Sequence, residues 1–153
     1  MAMLRVDYVI GKLPDGFDEL RGEAYAEGYR FVERLATDWA AGTTRFDRHG
    51  EALLAAYMDG VLAGIGGRTL DPVVPDALRV RRFYVRAACR NQGTGRRLVE
   101  ALLEFPRRAG TVVLVNAAQG SAAFWEALGF VPERRDGHSH VFDPGIGVSK
   151  ATG

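Results

Sequence analysis

The sequence predicts an α/β fold (α+β in some schemes): a single domain in which a mixed β-sheet carries helices on its faces. Three observations lead there. Segments of strand and helix periodicity follow one another in the order β–α–β–β–β–α–β–α–β–β, with no internal repeat and no linker. One segment, Thr111–Asn116 (TVVLVN), is apolar on both faces, as a buried central strand is. The 153 residues, 47% of them hydrophobic, suit one domain with a substantial core. That domain is expected over residues 1–143, with 144–153 a flexible tail.

Taken in order, Leu4–Ile10 alternates apolar and polar residues and reads as a half-buried strand. Asp15, in the turn LPDGF, is placed to cap the helix that follows. From Phe17 to Trp39 apolar and aromatic residues recur at helical spacing, giving one long helix or two broken near Gly28. A polar loop, 42–50, holds Arg45, Phe46 and His49. Two apolar runs then flank Asp59-Gly60, a dipeptide that suits the left-handed backbone of a tight hairpin turn. After the breaker DPVVPD, Ala77–Arg86 is a further strand. Arg96–Arg108 is an amphipathic helix with Leu98, Val99, Leu102, Leu103 and Phe105 inward and Pro106 weakening its last turn. Ser121–Leu128 is a short helix ended by Gly129, and two short strands, 130–134 and 138–142, surround Asp136-Gly137.

Composition narrows the function classes. A net charge of +1 gives no general attraction to nucleic acid or membrane, so neither is an expected partner and any anion site must be local. Cys89 is the sole cysteine, which excludes an internal disulfide, and no Cys or His spacing suggests a metal. The first ten residues have neither signal-peptide nor membrane-span character, and a cytoplasmic location is expected. A homodimer is left open.

The stretch CRNQGTGRRL (Cys89–Leu98) places two glycines and three arginines between a strand and a helix. A helix N-terminus offers unpaired N–H groups and a partial positive charge, and small residues let a phosphate approach them. Gly93 and Gly95 equally suit a plain strand-to-helix turn. The string lacks a GxxxxGK[ST] pattern, and Leu98 stands where a dinucleotide loop has its third glycine.

With those motifs placed, the chain resembles the GNAT superfamily of acyl-CoA-dependent N-acetyltransferases over most of Leu4–Phe142. The superfamily's pyrophosphate loop, R/Q-x-x-G-x-G/A, reads here Arg90-Asn91-Gln92-Gly93-Thr94-Gly95 and follows Tyr84-Val85. A second signature, an aromatic pair before Leu-Gly-Phe, reads Phe124-Trp125-Glu126-Ala127-Leu128-Gly129-Phe130. The resemblance implies acetyl-CoA as co-substrate, a sheet that splays between the strands at 78–86 and 111–116, and no metal. The pyrophosphate would lie on the loop from Gln92 to Arg96, and the pantetheine arm along Phe83, Tyr84 and Val85. Phe124 and Asn116 would complete this cofactor site; the register of the usual Asn falls on Ala118 instead.

The implied activity is acetyl transfer to a primary amine of a small molecule or peptide. The alternative is a non-catalytic acyl-CoA-binding or sensor module. Where relatives often carry a Tyr that protonates the leaving thiolate, this chain has Trp125, so Ser121 or water are substitutes and Trp125 also suits core packing. An alkylamine with a pKa near ~10 is neutral in only about one molecule in a thousand at pH 7, so the proton must go somewhere. Glu51, His49, Asp38, His138 and His140 are the candidate bases. Arg79 and Arg81 share a strand face where some relatives place a carboxylate. Facing the cleft, they would bind an anionic substrate group; facing outward, they are solvated surface. Acceptor recognition is expected from 29–50 and 131–142, with Tyr29, Arg45 and above all Trp39 and Phe46 lining the site.

Overall fold

The computed structural model describes residues 3–145. The expected tail lies outside the described residues from 146 onward. Seven strands form one sheet: β1 (Leu4–Tyr8), β2 (Ala52–Met58), β3 (Val61–Leu70), β4 (Leu78–Val85), β5 (Val113–Val115), β6 (Val131–Arg135) and β7 (His138–Phe142). Their order is β1-β2-β3-β4-β5-β7-β6. Every neighbouring pair is antiparallel except β4 and β5.

The expected first helix is two helices, α1 (Phe17–Ala26) and α2 (Phe31–Ala41), separated where Gly28 takes a left-handed backbone. Asp15 does not cap α1: the cap position is Gly16, and no side chain bonds there. Helix α3 (Thr94–Ala109) begins two residues earlier than expected and runs through Pro106. Helix α4 (Ala122–Ala127) is a single short segment before Gly129. The Asp59-Gly60 hairpin forms as its turn chemistry requires, both residues having positive φ (51° and 84°).

The two faces of the sheet carry separate cores. Helices α1 and α2 cover one, with Leu20, Leu35, Trp39, Phe46 and Tyr84 packed together. Helices α3 and α4 cover the other, with Leu98, Leu102, Val113, Trp125 and Phe130. Phe105, expected inward, lies half-buried beside Gly50 and Arg68. Strand β3 is buried on both faces, and its glycines leave room for rings. A Cβ on Gly67 would stand 2.4 Å from Phe46, and one on Gly66 would stand 2.8 Å from Phe83.

Strand β4 positions the site. Its register against β3 slips between Tyr84 and Arg81, and Arg82 within the slip has φ 56°. This bulge adds one residue, so Val80 and Phe83 share the α3 face while Tyr84 turns to the α1–α2 face. On its other edge β4 meets the three-residue β5 at only two pairs, Leu78↔Val113 and Arg79↔Leu114. The sheet is therefore split alongside Val80–Val85.

Candidate active site

The split opens a cleft of about 960 Å³. Its walls come from β4 (Arg79–Val85), the turn before α3, the end of β5 (Val115–Ala118) and the start of α4, with Tyr29 and Phe31 from the α1–α2 corner.

Backbone direction along the open edge follows from one bond. The Arg86 N–H donates to the Ala63 carbonyl on β3 at 2.8 Å. Successive residues of a strand aim their backbone groups at opposite edges, so Phe83 and Val85 face the split. The Val85 carbonyl accepts a bond from Arg90 Nε (3.0 Å). The Val85 N–H and both groups of Phe83 are left turned toward the cleft.

The glycine-containing turn ends in the start of α3. Gly93 is the cap, in the left-handed region (φ 84°), with no side-chain cap; a Cβ there would meet nothing within 4 Å. Arg97 N–H makes the first intrahelical bond, to Gly93 O (2.9 Å), so the N–H groups of Thr94, Gly95 and Arg96 precede the helical ladder. Gly95 is needed for packing: a Cβ there would lie 3.2 Å from the Phe124 ring. Asn91, Gly93, Gly95 and Arg96 line the cleft. Gln92 does not; its amide donates back to Ala88 O (3.0 Å). The Thr94 side chain is buried, its hydroxyl without a partner, and it too stays out of the wall.

Arg90 lines the cleft but is held from behind. Two of its nitrogens bond Glu27 at 2.8 and 2.7 Å, and the Tyr84 hydroxyl donates to the same carboxylate. Arg90, then Tyr84, hold the Glu27 carboxyl below the usual carboxylate range. Burial, then Glu27, pushes the Tyr84 phenol well above its ordinary value. Glu27 was not legible as a site residue. The available signal was a carboxylate at the end of a helical pattern, just before Gly28.

Several expected site residues stand elsewhere. Trp39 is on the inward face of α2, and Phe46 sits in the space left by Gly67, so both belong to the α1–α2 core and neither reaches the cleft. Arg45 stacks over the Trp39 ring at 5.0 Å. Of the segments expected to recognise the acceptor, 29–50 and 131–142, only Tyr29 and Phe31 enter the wall. The Glu51 carboxylate accepts bonds from the N–H groups of Leu70 (2.9 Å) and Arg48 (3.3 Å), which close the loop before β2, and it does not line the cleft. His138 and His140 are buried on β7, paired with Glu133 and Glu126. Asp38 stands behind Arg82 (3.2 Å).

Asn116, Ala118, Ser121, Phe124 and Trp125 all line the cleft. The Ser121 hydroxyl donates to Ala118 O at 2.7 Å. Trp125 is 4% exposed and sits in an aromatic cluster, its ring 5.2 Å from Phe83, 5.1 Å from Phe124 and 5.3 Å from Phe130. Arg79 and Arg81 both line the cleft, with Arg82. Among the described residues, the wall contains no Asp, Glu or His.

These features fit an extended, phosphate-bearing ligand: an open strand edge leads to a helix start that offers N–H groups. The solved structures agree in fold. An assigned acetyltransferase of Exiguobacterium sp. 255-15 superposes with a TM-score of 0.86 at 19% identity, covering 97% of this chain and 98% of that one. An assigned acetyltransferase of Salmonella typhimurium, solved with its cofactor acetyl-CoA, has a TM-score of 0.65 at 16% identity, covering 92% and 94%. Glucosamine-6-phosphate N-acetyltransferase of Arabidopsis thaliana has a TM-score of 0.64 at 17% identity, covering 88% and 95%. No curated protein matches the sequence. No helix of the described residues is long and apolar enough to cross a membrane. The sequence itself matches the acetyltransferase (GNAT) domain over residues 16–141 of 153, and the chain therefore belongs to the GNAT acetyltransferase family.

Proposed function

We propose that this protein moves the acetyl group of acetyl-CoA to a primary amine of a small molecule or peptide by direct attack. The observation that carries the reading is the split edge of β4 running into the uncapped start of α3. Acetyl-CoA, when bound, supplies an acetyl thioester and a thiolate leaving group. The N–H groups of Thr94, Gly95 and Arg96 would hold its pyrophosphate, with Arg96 adding charge. The edge of Phe83 and Val85 would pair with the pantetheine arm, and the Val85 N–H is the donor best placed to polarise a carbonyl there. Arg90 acts differently from the other arginine of the turn. Held by Glu27 and bonded to Val85 O, it fixes the turn against the strand edge.

Transfer forms a C–N bond, breaks the C–S bond, and releases one proton from nitrogen. The described cleft wall holds no carboxylate or imidazole to take it. Water is the remaining acceptor, and the arginine-rich wall favours the neutral amine over the ammonium. Trp125 packs, so thiolate protonation also falls to water or to Ser121 after its hydroxyl leaves Ala118.

A panel of amines with acetyl-CoA, followed by free-thiol release, tests the reading. Gly93→Glu puts a carboxylate at the helix start and should weaken CoA by at least ten-fold, about 1.4 kcal/mol, in calorimetry. Unchanged affinity would remove the turn from the site. CoA binding without turnover on any amine would favour the non-catalytic module.

A further inference from the structure

We propose that the acceptor carries an anionic group, a carboxylate or a phosphate, that docks on Arg81. The proposal rests on the acetyl-transfer reading and names the substrate class of the same cleft.

Five arginines line the cleft: Arg79, Arg81, Arg82, Arg90 and Arg96. Four of them are matched by a carboxylate standing outside it. Arg79 pairs with Asp71 (2.5 Å) and also donates to the carbonyls of Gly137 (2.8 Å) and Asp136 (3.2 Å). Arg82 pairs with Asp38 (3.2 Å), Arg90 with Glu27 (2.7 Å) and Arg96 with Glu100 (3.1 Å). Arg81 alone among the five has neither a hydrogen bond nor an ion pair within the described residues.

Its surroundings make that charge costly. Arg81 is half-buried, with the guanidinium groups of Arg82 and Arg79 near enough to act on its charge. Burial first, then Arg82 and Arg79, pulls its pKa below the ordinary arginine value. A cation in this setting is stabilised by an anion that enters the cleft, and a planar guanidinium suits a two-oxygen partner.

Its position separates it from the donor's phosphates. Arg81 lies four residues before Val85 on β4, roughly 10 Å or more along the strand. The turn that begins α3 lies beyond the other end, after Val85. The thioester would sit between the two, so Arg81 is on the acceptor side. The bulge at Arg82 contributes to this arrangement: the extra residue sends Arg82 to Asp38 and leaves Arg81 in register opposite Gly67.

The test uses the whole chain saturated with CoA, titrated by calorimetry with products that need no turnover. N-acetylglycine is compared with N-acetylglycinamide, and N-acetyl-O-phosphoethanolamine with N-acetylethanolamine. At least one anionic member should bind roughly ten- to a hundred-fold more tightly than its neutral partner; which pair shows it tells a carboxylate site from a phosphate site. Arg81→Gln should erase the preference and leave CoA affinity unchanged, which also shows that the variant is folded. Arg81→Lys should keep part of it, since the charge stays and the fork is lost. Equal binding within both pairs overturns the proposal, as does a loss of CoA affinity in Arg81→Gln. Retained anion preference in a protein that releases no thiol from acetyl-CoA would sink the transfer reading while leaving the anion site in place.

Discussion

Arg68 offers the sharpest test of how this scaffold is held. It is 4% exposed on β3, yet its partners are carbonyls. Nε donates to Gly50 O at 2.8 Å and Nη1 to Leu102 O at 2.9 Å, with the guanidinium 5.4 Å from the Phe105 ring. Leu102 lies four residues before Pro106 within α3. In an α-helix its carbonyl would accept the N–H of residue 106, and proline has none. Arg68 supplies the missing donor from the strand beneath the helix. Arg68→Met removes two bonds from a charged donor, about 1.5–3 kcal/mol each. Release from the desolvation of a buried charge offsets part of that, leaving a net loss of about 2–4 kcal/mol. The specific claim is the coupling to Pro106. Pro106→Ala restores the N–H, which shares the Leu102 carbonyl with Arg68 in the wild-type background and has it alone in Arg68→Met. The double variant should therefore recover about 1–2 kcal/mol more than additivity predicts. Lost proline packing occurs in both backgrounds and cancels. Urea unfolding of the four proteins, extrapolated to water, measures the cycle. Additivity within about 0.5 kcal/mol would refute the idea that Arg68 replaces the proline's absent donor.

Two further predictions concern the cleft. Trp125→Tyr and Trp125→Phe should both cost about 1–3 kcal/mol of stability, because the indole fills an aromatic cluster, and both should leave the shape of the pH–rate profile unchanged. A new alkaline limb in the Tyr variant alone would instead show a phenol acting as acid at this position. Glu27→Gln addresses the brace behind Arg90. Arg90 and Tyr84 hold the Glu27 carboxyl below its ordinary pKa, so its stabilisation is present above the usual carboxylate range and is lost as pH falls through its folded value. On acidification from about pH 5 to about pH 3, the wild type should lose more stability than Glu27→Gln; parallel curves would show that the brace does not titrate with folding.

Local chemistry was legible along most of the chain. Periodicity located the sheet strands and helices, and Asp59-Gly60 and Gly28 marked the turn and the break, because backbone preference and amphipathic spacing act over a few residues. The start of α3 moved two residues, to Thr94, and the cap of α1 fell on Gly16 instead of Asp15; at neither start does a side chain form the cap. The aromatic residues misled. Trp39 and Phe46 were expected at the acceptor site, but nothing local says that Gly67, twenty-one residues after Phe46, leaves a ring-sized space on β3.

By itself, then, the sequence determined the order of elements, the turn that carries Gly93 and Gly95, and the supply of arginines around it. The fold alone decided which partners those arginines meet. Arg90 finds Glu27 across 63 residues, Arg79 finds Gly137 across 58, and Arg68 finds Leu102 across 34. Such pairs depend on strand register, on the bulge at Arg82 and on how each helix lies over the sheet, and none of these leaves a periodic trace in the chain. Arg81 stands apart for the same reason: its charge could be read from the sequence, but that it has no partner among the described residues could be known only once every other arginine in the cleft had found one.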